Sequence, residues 1–109
     1  ELYELCHSYG AVLYQAHPFR TPCIPRDPDF LDGVEYNQRP NSGNNNKKLD
    51  TWLQSYPDLK RISGSDCHNL QQVGYGGIII QETVNDSQEL AEVLKQHPVK
   101  LIMNEHSTQ

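Results

Sequence analysis

Asp66 and His68 flank Cys67 in the run Gly64-Ser65-Asp66-Cys67-His68. A carboxylate and an imidazole two residues apart suit a divalent cation. On an extended loop alternate side chains point the same way, so both groups reach one ion. Gly64 is expected to let the backbone turn sharply just before the pair. A second chemical group opens at His17-Pro18-Phe19-Arg20, directly after the apolar run 11–16. His17 is the type of residue that completes a cation site, and Arg20 has the forked donor geometry that matches phosphate oxygens. Glu35, in Gly33-Val34-Glu35-Tyr36-Asn37, adds an acid near the end of a further apolar stretch.

The elements that must position these residues alternate in type. Leu2, Leu5, Cys6 and Tyr9 recur at helical spacing before Gly10. The run 11–16 reads as a strand buried on both faces. Three prolines make 20–32 an irregular loop. Residues 33–37 read as a second strand and 38–46 as a polar, Asn-rich loop. Leu49, Trp52, Leu53 and Tyr56 form one stripe of a helix over 47–56, stopped by Pro57. Residues 60–63 form a third strand leading into the Asp-x-His loop. Gly76-Gly77 introduces a β-branched fourth strand at 78–80. Asn85 or Ser87 caps a helix ending at His97, with Leu90, Val93 and Leu94 as its apolar face. Residues 99–103 form a fifth strand. The order predicts an α/β fold with about five short, mostly parallel strands. In such sheets ligands bind at the carboxyl ends of strands. His17, Glu35 and the Asp66/His68 pair each follow or end a different strand, so one rim is expected to collect them.

Composition bounds the function. The chain has 109 residues, the size of one domain, with 36% hydrophobic residues and a formal charge of -5. That balance argues against a nucleic-acid-coating surface. No apolar run is long enough to span a membrane, and no signal peptide opens the sequence. Three irregularly spaced cysteines, Cys6, Cys23 and Cys67, suit a reducing compartment, so a cytoplasmic location is expected.

The combination of His-Pro-Phe-Arg after a strand, Asp-Gly-Val-Glu-Tyr-Asn, and Ser-Gly-Ser-Asp-x-His followed by Val-Gly resembles the PHP family (polymerase and histidinol phosphatase). The resemblance implies a distorted (β/α)7 barrel that holds two or three divalent ions and hydrolyses phosphate esters. By the same resemblance His17 matches a late histidine ligand, Asp66 and His68 match the final Asp-x-His ligand pair, and Glu35 sits near the site. The family's early His-x-His is absent from this sequence. Residues 1–109 are therefore expected to be the C-terminal half of such a domain. Glu1 at the start, inside a helical pattern, fits a cut from a longer parent.

The implied cofactors are zinc, manganese or iron, which lower the pKa of a bound water. The implied substrate is a phosphorylated small molecule or nucleotide, with Arg20 on the phosphate. A half barrel leaves an open sheet edge, which invites self-association. The alternative function is a non-catalytic PHP-like module acting in binding or assembly. Each residue also has a plainer role. His17 can cap a strand end, Glu35 can end a strand in solvent, and Arg20 can be a solvated loop residue. Cys67 is expected to point away from the metal side into packing. His7 is read as structural or solvent-exposed, His97 as a helix-end cation, and His106 as idle.

Overall fold

A computed structural model describes residues 1–104. The reading of His106 lies outside the described residues. The elements run α1 (Leu2–Ser8), β1 (Tyr14–Gln15), a 3-10 turn (Pro28–Phe30), β2 (Gly33–Asn37), α2 (Asn46–Leu53), β3 (Lys60–Gly64), a second 3-10 turn (Leu70–Gln72), β4 (Gly77–Ile79), α3 (Ser87–Gln96) and β5 (Lys100–Ile102).

Strands β1, β2 and β3 form a parallel three-stranded sheet in sequence order. Tyr14 pairs with Gly33, and β2 pairs with β3 along its whole length, from Gly33↔Lys60 to Asn37↔Gly64. The β2–α2–β3 unit supplies the core. Val34 is fully buried, and Leu49 and Leu53 of α2 are 1% and 2% exposed. Leu59 and Tyr36 complete the cluster, with Phe19, Leu31, Trp52 and Leu101 packed on its border. Tyr36 donates from its hydroxyl to Asp50 on the outer side of α2. Burial first, and then that carboxylate, raise the Tyr36 pKa above the ordinary phenol value.

Several expectations change. The five strands do not share one sheet, because β4 and β5 form a separate antiparallel pair. A parallel pair is joined by a helical crossover. Here the irregular run 80–86 intervenes between β4 and α3, and β5 returns antiparallel. The small sheet is held to β3 by Ser63, whose hydroxyl donates to the Ile102 carbonyl at 2.6 Å. Gly76 fits there because a Cβ would sit 2.7 Å from the Gly64 backbone. Strand β1 is two residues long and half-buried, not a strand buried on both faces. Helix α2 ends at Leu53, so Tyr56 lies beyond it, stacked on Trp52 at 4.9 Å and 38% exposed rather than in the core.

The apolar stripe of α1 does not face the core either. Leu2, Leu5 and Tyr9 are exposed. The helix is held instead through His7, which stacks on Tyr3 and lies 2.9 Å and 3.0 Å from the two carboxylate oxygens of Asp32. Asp32 also accepts from the Leu13 amide at 2.6 Å, which ties α1 to the start of the sheet. Helix α3 is capped by Asp86, not Asn85 or Ser87. The Asp86 carboxylate accepts from Glu89 N at 2.8 Å, and Glu89 reaches back to Asn85 N at 2.6 Å. That differs from a capping box only in that the return bond goes to the residue before the cap. His97 is the C-terminal cap of α3 and pairs with Glu82 at 3.3 Å. No helix among the described residues is long and apolar enough to cross a membrane.

Leu49→Ala empties the centre of this core, and a buried leucine truncation costs about 2–5 kcal/mol. Lys48→Ala, on the exposed face, stays within about 0.5 kcal/mol. Urea unfolding of both variants checks the assignment, and equal midpoints would contradict it.

Candidate functional site

The carboxyl ends of β1, β2 and β3 carry the candidate residues. His17 follows β1, Asn37 ends β2, and Asp66 follows β3. His17 and Asp66 both take positive φ, 28° and 49°. Non-glycine residues seldom adopt such a backbone. Asp66 is therefore not on an extended loop, and simple alternation does not explain its alignment with His68.

His68 instead folds back on Asp66. Its Nδ1 lies 2.7 Å from the Asp66 carbonyl and 3.7 Å from the Asp66 carboxylate. A carbonyl only accepts, so Nδ1 carries a proton, and a ring with a single proton would then have its lone pair on Nε2, facing an outside partner. The ring is 54% exposed. The His68 amide is fixed by Gln72 Oε1 at 2.8 Å.

Arg20 is not a solvated loop residue. Its Nη2 donates to Asp66 Oδ2 at 3.0 Å and to Asn37 Oδ1 at 3.0 Å, and its Nε donates to Asn44 Oδ1 at 2.9 Å. Burial pushes the Asp66 pKa up, but hydrogen bonds from Arg20 and Asn37 and the charges of Arg20 and His68 outweigh it, so the carboxyl titrates below its ordinary value. Glu35 sits in the middle of β2, yet its carboxylate reaches the same rim. Oε1 accepts from His17 N at 3.1 Å and from Asn37 Nδ2 at 3.2 Å. The other carboxylate oxygen occupies the space over Gly64, where a Cβ would collide with it. Gly64 therefore provides room for Glu35 rather than a sharp turn; it is the last residue of β3.

Sequence reasoning missed the buried amides. Asn37 and Asn44 are each 2% exposed, and Asn46 is 8% exposed. Asn37 Oδ1 accepts from Arg20, Asn44 and Arg39 N. Its carbonyl accepts from Asn44 Nδ2 at 3.0 Å and Asn46 Nδ2 at 2.8 Å. Asn45 completes the clamp by donating to the Phe19 carbonyl at 3.0 Å. The Asn-rich loop thus grips the His17–Arg20 segment. The available signal was an asparagine at a strand end followed by a cluster of asparagines, which reads as a loop unless tertiary partners are known.

The rim holds two groups. Arg20, Asp66 and His68 form one. Glu35, His17 and Cys23 form the other, with Cys23 Sγ 3.6 Å from His17 Nδ1. Asn37 joins them, bonding Arg20 on one side and Glu35 on the other. Among the described residues, no three His, Cys, Asp or Glu side chains come together closely enough to hold a metal ion. Cys67 is exposed and donates to the Asn69 carbonyl at 3.0 Å, so it faces solvent rather than packing. The groove between α3 and β3, lined by Tyr14, Lys60, Arg61 and His97, touches the start of β3, the opposite end from this rim.

A family model described as PHP-associated matches residues 43–98, just over half of the chain. The chain belongs to the PHP-associated family. The matched segment contains Asn44, Asn46, Gly64, Asp66 and His68, whereas His17, Arg20 and Glu35 precede it. No match was found among curated proteins or solved structures.

The lowered Asp66 pKa has a testable sign. Its stabilisation is present in full above the ordinary carboxylate value of 3.8 and is lost as pH falls through the lower folded value. Arg20→Gln removes the main charged partner. The stability gap between the native chain and Arg20→Gln is expected to hold steady from about pH 7 to about pH 5 and to narrow below about pH 4. Urea midpoints across that range measure it; a gap independent of pH contradicts the pairing.

Proposed function

We propose that this chain contributes the later metal ligands of a metal-dependent phosphoesterase, in the C-terminal half of a PHP-type barrel. The observation that carries this reading is the state of Asp66 and His68. The carboxylate is kept ionised beside a cationic group, and the imidazole is set by its Nδ1 hydrogen bond to offer Nε2. Membership of the PHP-associated family supports it further.

Asp66, His68 and His17 are the residues that would hold the ions. The donor chemistry fits: an ionised carboxylate and neutral imidazoles suit zinc, manganese or iron alike. Such an ion supplies Lewis-acid activation of water and charge neutralisation on a phosphoryl group. Glu35 orients His17 through the backbone amide and holds Asn37. Arg20 already rests its Nη2 on Asp66, and its guanidinium is the group that would meet a phosphate oxygen of the substrate. The substrate class is a phosphorylated small molecule or nucleotide.

A second reading is a non-catalytic module that binds a partner or a second copy through the open edge at β1. The lack of a three-residue metal group among the described residues favours it, as do the exposed Leu2, Leu5 and Tyr9 on α1.

Metal analysis of the purified chain, with hydrolysis of p-nitrophenyl phosphate, separates the two. The first reading predicts bound divalent metal, and His68→Ala or Asp66→Asn then lowers metal affinity by at least about tenfold. Arg20→Ala raises KM without lowering metal content, since it removes a competitor for Asp66. A metal-free chain that neither gains activity with added zinc, manganese or iron nor changes in these variants sinks the first reading and leaves the second.

A further inference from the structure

The groove at the start of β3, away from the rim, holds about 400 Å³. Parallel pairing sets Tyr14, Gly33 and Lys60 side by side across the three strands. Residues in register leave the same face of a sheet, so the Tyr14 and Lys60 side chains flank Gly33 on one face. The Tyr14 ring uses the space over Gly33, where a Cβ would lie 2.5 Å from it. Both residues line the groove, with Leu94 of α3 and Leu101 of β5 as apolar wall. Both are partly buried. Among the described residues, Lys60 forms no ion pair, and neither its ammonium nor the Tyr14 hydroxyl has a hydrogen-bond partner. Burial, and then the charge of Asp32, push the Tyr14 phenol up to about 12, so it stays protonated and able to donate. The other charged groups nearby are occupied or turned away. Asp32 is held by His7 and the Leu13 amide, and His97 is paired with Glu82. Arg61, next to Lys60 and so on the opposite face, reaches toward the Leu53 carbonyl at 3.5 Å. Asp58 is exposed. A partly buried cation without a counter-charge is costly, and here it stands beside an unused donor and an apolar wall.

We infer that this groove is a binding site for a small organic carboxylate with an apolar body. Lys60 supplies the counter-charge to one carboxylate oxygen, and the Tyr14 hydroxyl donates to the other. Leu94 and Leu101 cover the apolar body. One cation and one neutral donor match a monoanion with two oxygens; a phosphate dianion, with three, is left short of partners. The volume suits a small ligand, since such sites run from about 300 to 1,000 Å³. The site is separate from the rim and does not rest on the metal reading of His17, Asp66 and His68.

Titration of the metal-free chain with 4-phenylbutyrate, followed by backbone amide NMR, tests this without relying on activity. The native chain is expected to show saturable shifts at residues 58–61 and 94–101, with the rim residues 17–20 and 66–68 unmoved. The neutral 4-phenylbutanol and inorganic phosphate are each expected to bind at least about tenfold more weakly, because one lacks the charge and the other the apolar body. Lys60→Met weakens 4-phenylbutyrate by at least about tenfold, Tyr14→Phe weakens it by a smaller factor, and Lys48→Met leaves it unchanged. Dispersed amide signals confirm that each variant is folded, and Lys60→Gln takes the place of Lys60→Met if the latter is not. Absence of saturable shifts in the native chain overturns the site. Equal binding of the alcohol and the carboxylate, or native affinity in the folded Lys60 variant, overturns the recognition of an anion. Shifts centred on the rim instead overturn the location.

Discussion

The rim depends on the burial of one amide. Asn37 is almost wholly removed from water, so every polar atom it carries must find a partner inside the fold. Its carbonyl and side chain do so by taking hold of Arg20, Glu35, Arg39, Asn44 and Asn46. A buried, fully bonded amide is costly to rearrange, because breaking one bond strands a polar atom in a low-dielectric setting. It therefore selects a single arrangement of three loops. The segment after β1 is held through Arg20, the Asn-rich loop through Asn44 and Asn46, and the segment after β3 through the Arg20–Asp66 contact.

The parallel register makes this possible. Asn37 stands opposite Gly64, so β2 and β3 end level, whereas β1 stops at Gln15, opposite Val34, and the segment that follows it continues toward the same end. Glu35, two residues before Asn37 and on the same face of β2, can then extend its carboxylate over Gly64 because no Cβ is there to meet it. The charges on the rim alternate: Glu35, Arg20 and Asp66 succeed one another through Asn37. That order places the Arg20 guanidinium directly against the Asp66 carboxylate, which holds the acid ionised.

Local pattern revealed the strand–helix–strand unit, because Leu49 and Leu53 recur at helical spacing and bury accordingly. It also singled out His17, Arg20, Glu35, Asp66 and His68, since their types and their places after strands are visible in one dimension. It did not reveal what Arg20 does, as its partner lies 46 residues away. Asn37, Asn44 and Asn46 were hidden for the same reason: an asparagine in a loop and an asparagine in a buried network have the same letter and differ only in long-range partners. The outward-facing stripe of α1 misled because periodicity identifies a helix without saying which face is covered; His7 and Asp32, not Leu2 and Leu5, decide how that helix sits. The antiparallel return of β5 was likewise invisible, since strand direction depends on the path of residues 80–86 and not on their composition.

The central claim is that two strand ends, bridged by Asn37, present one metal-binding rim. Paramagnetic shifts and broadening of backbone amide signals on adding substoichiometric cobalt(II) test it most directly. The account predicts that residues 16–18 and 65–68 respond together at the lowest cobalt levels, and that Asn37→Ala uncouples them. A response confined to one of the two segments, or spread over surface acids such as Glu4 and Asp29 with both segments unaffected, would contradict it.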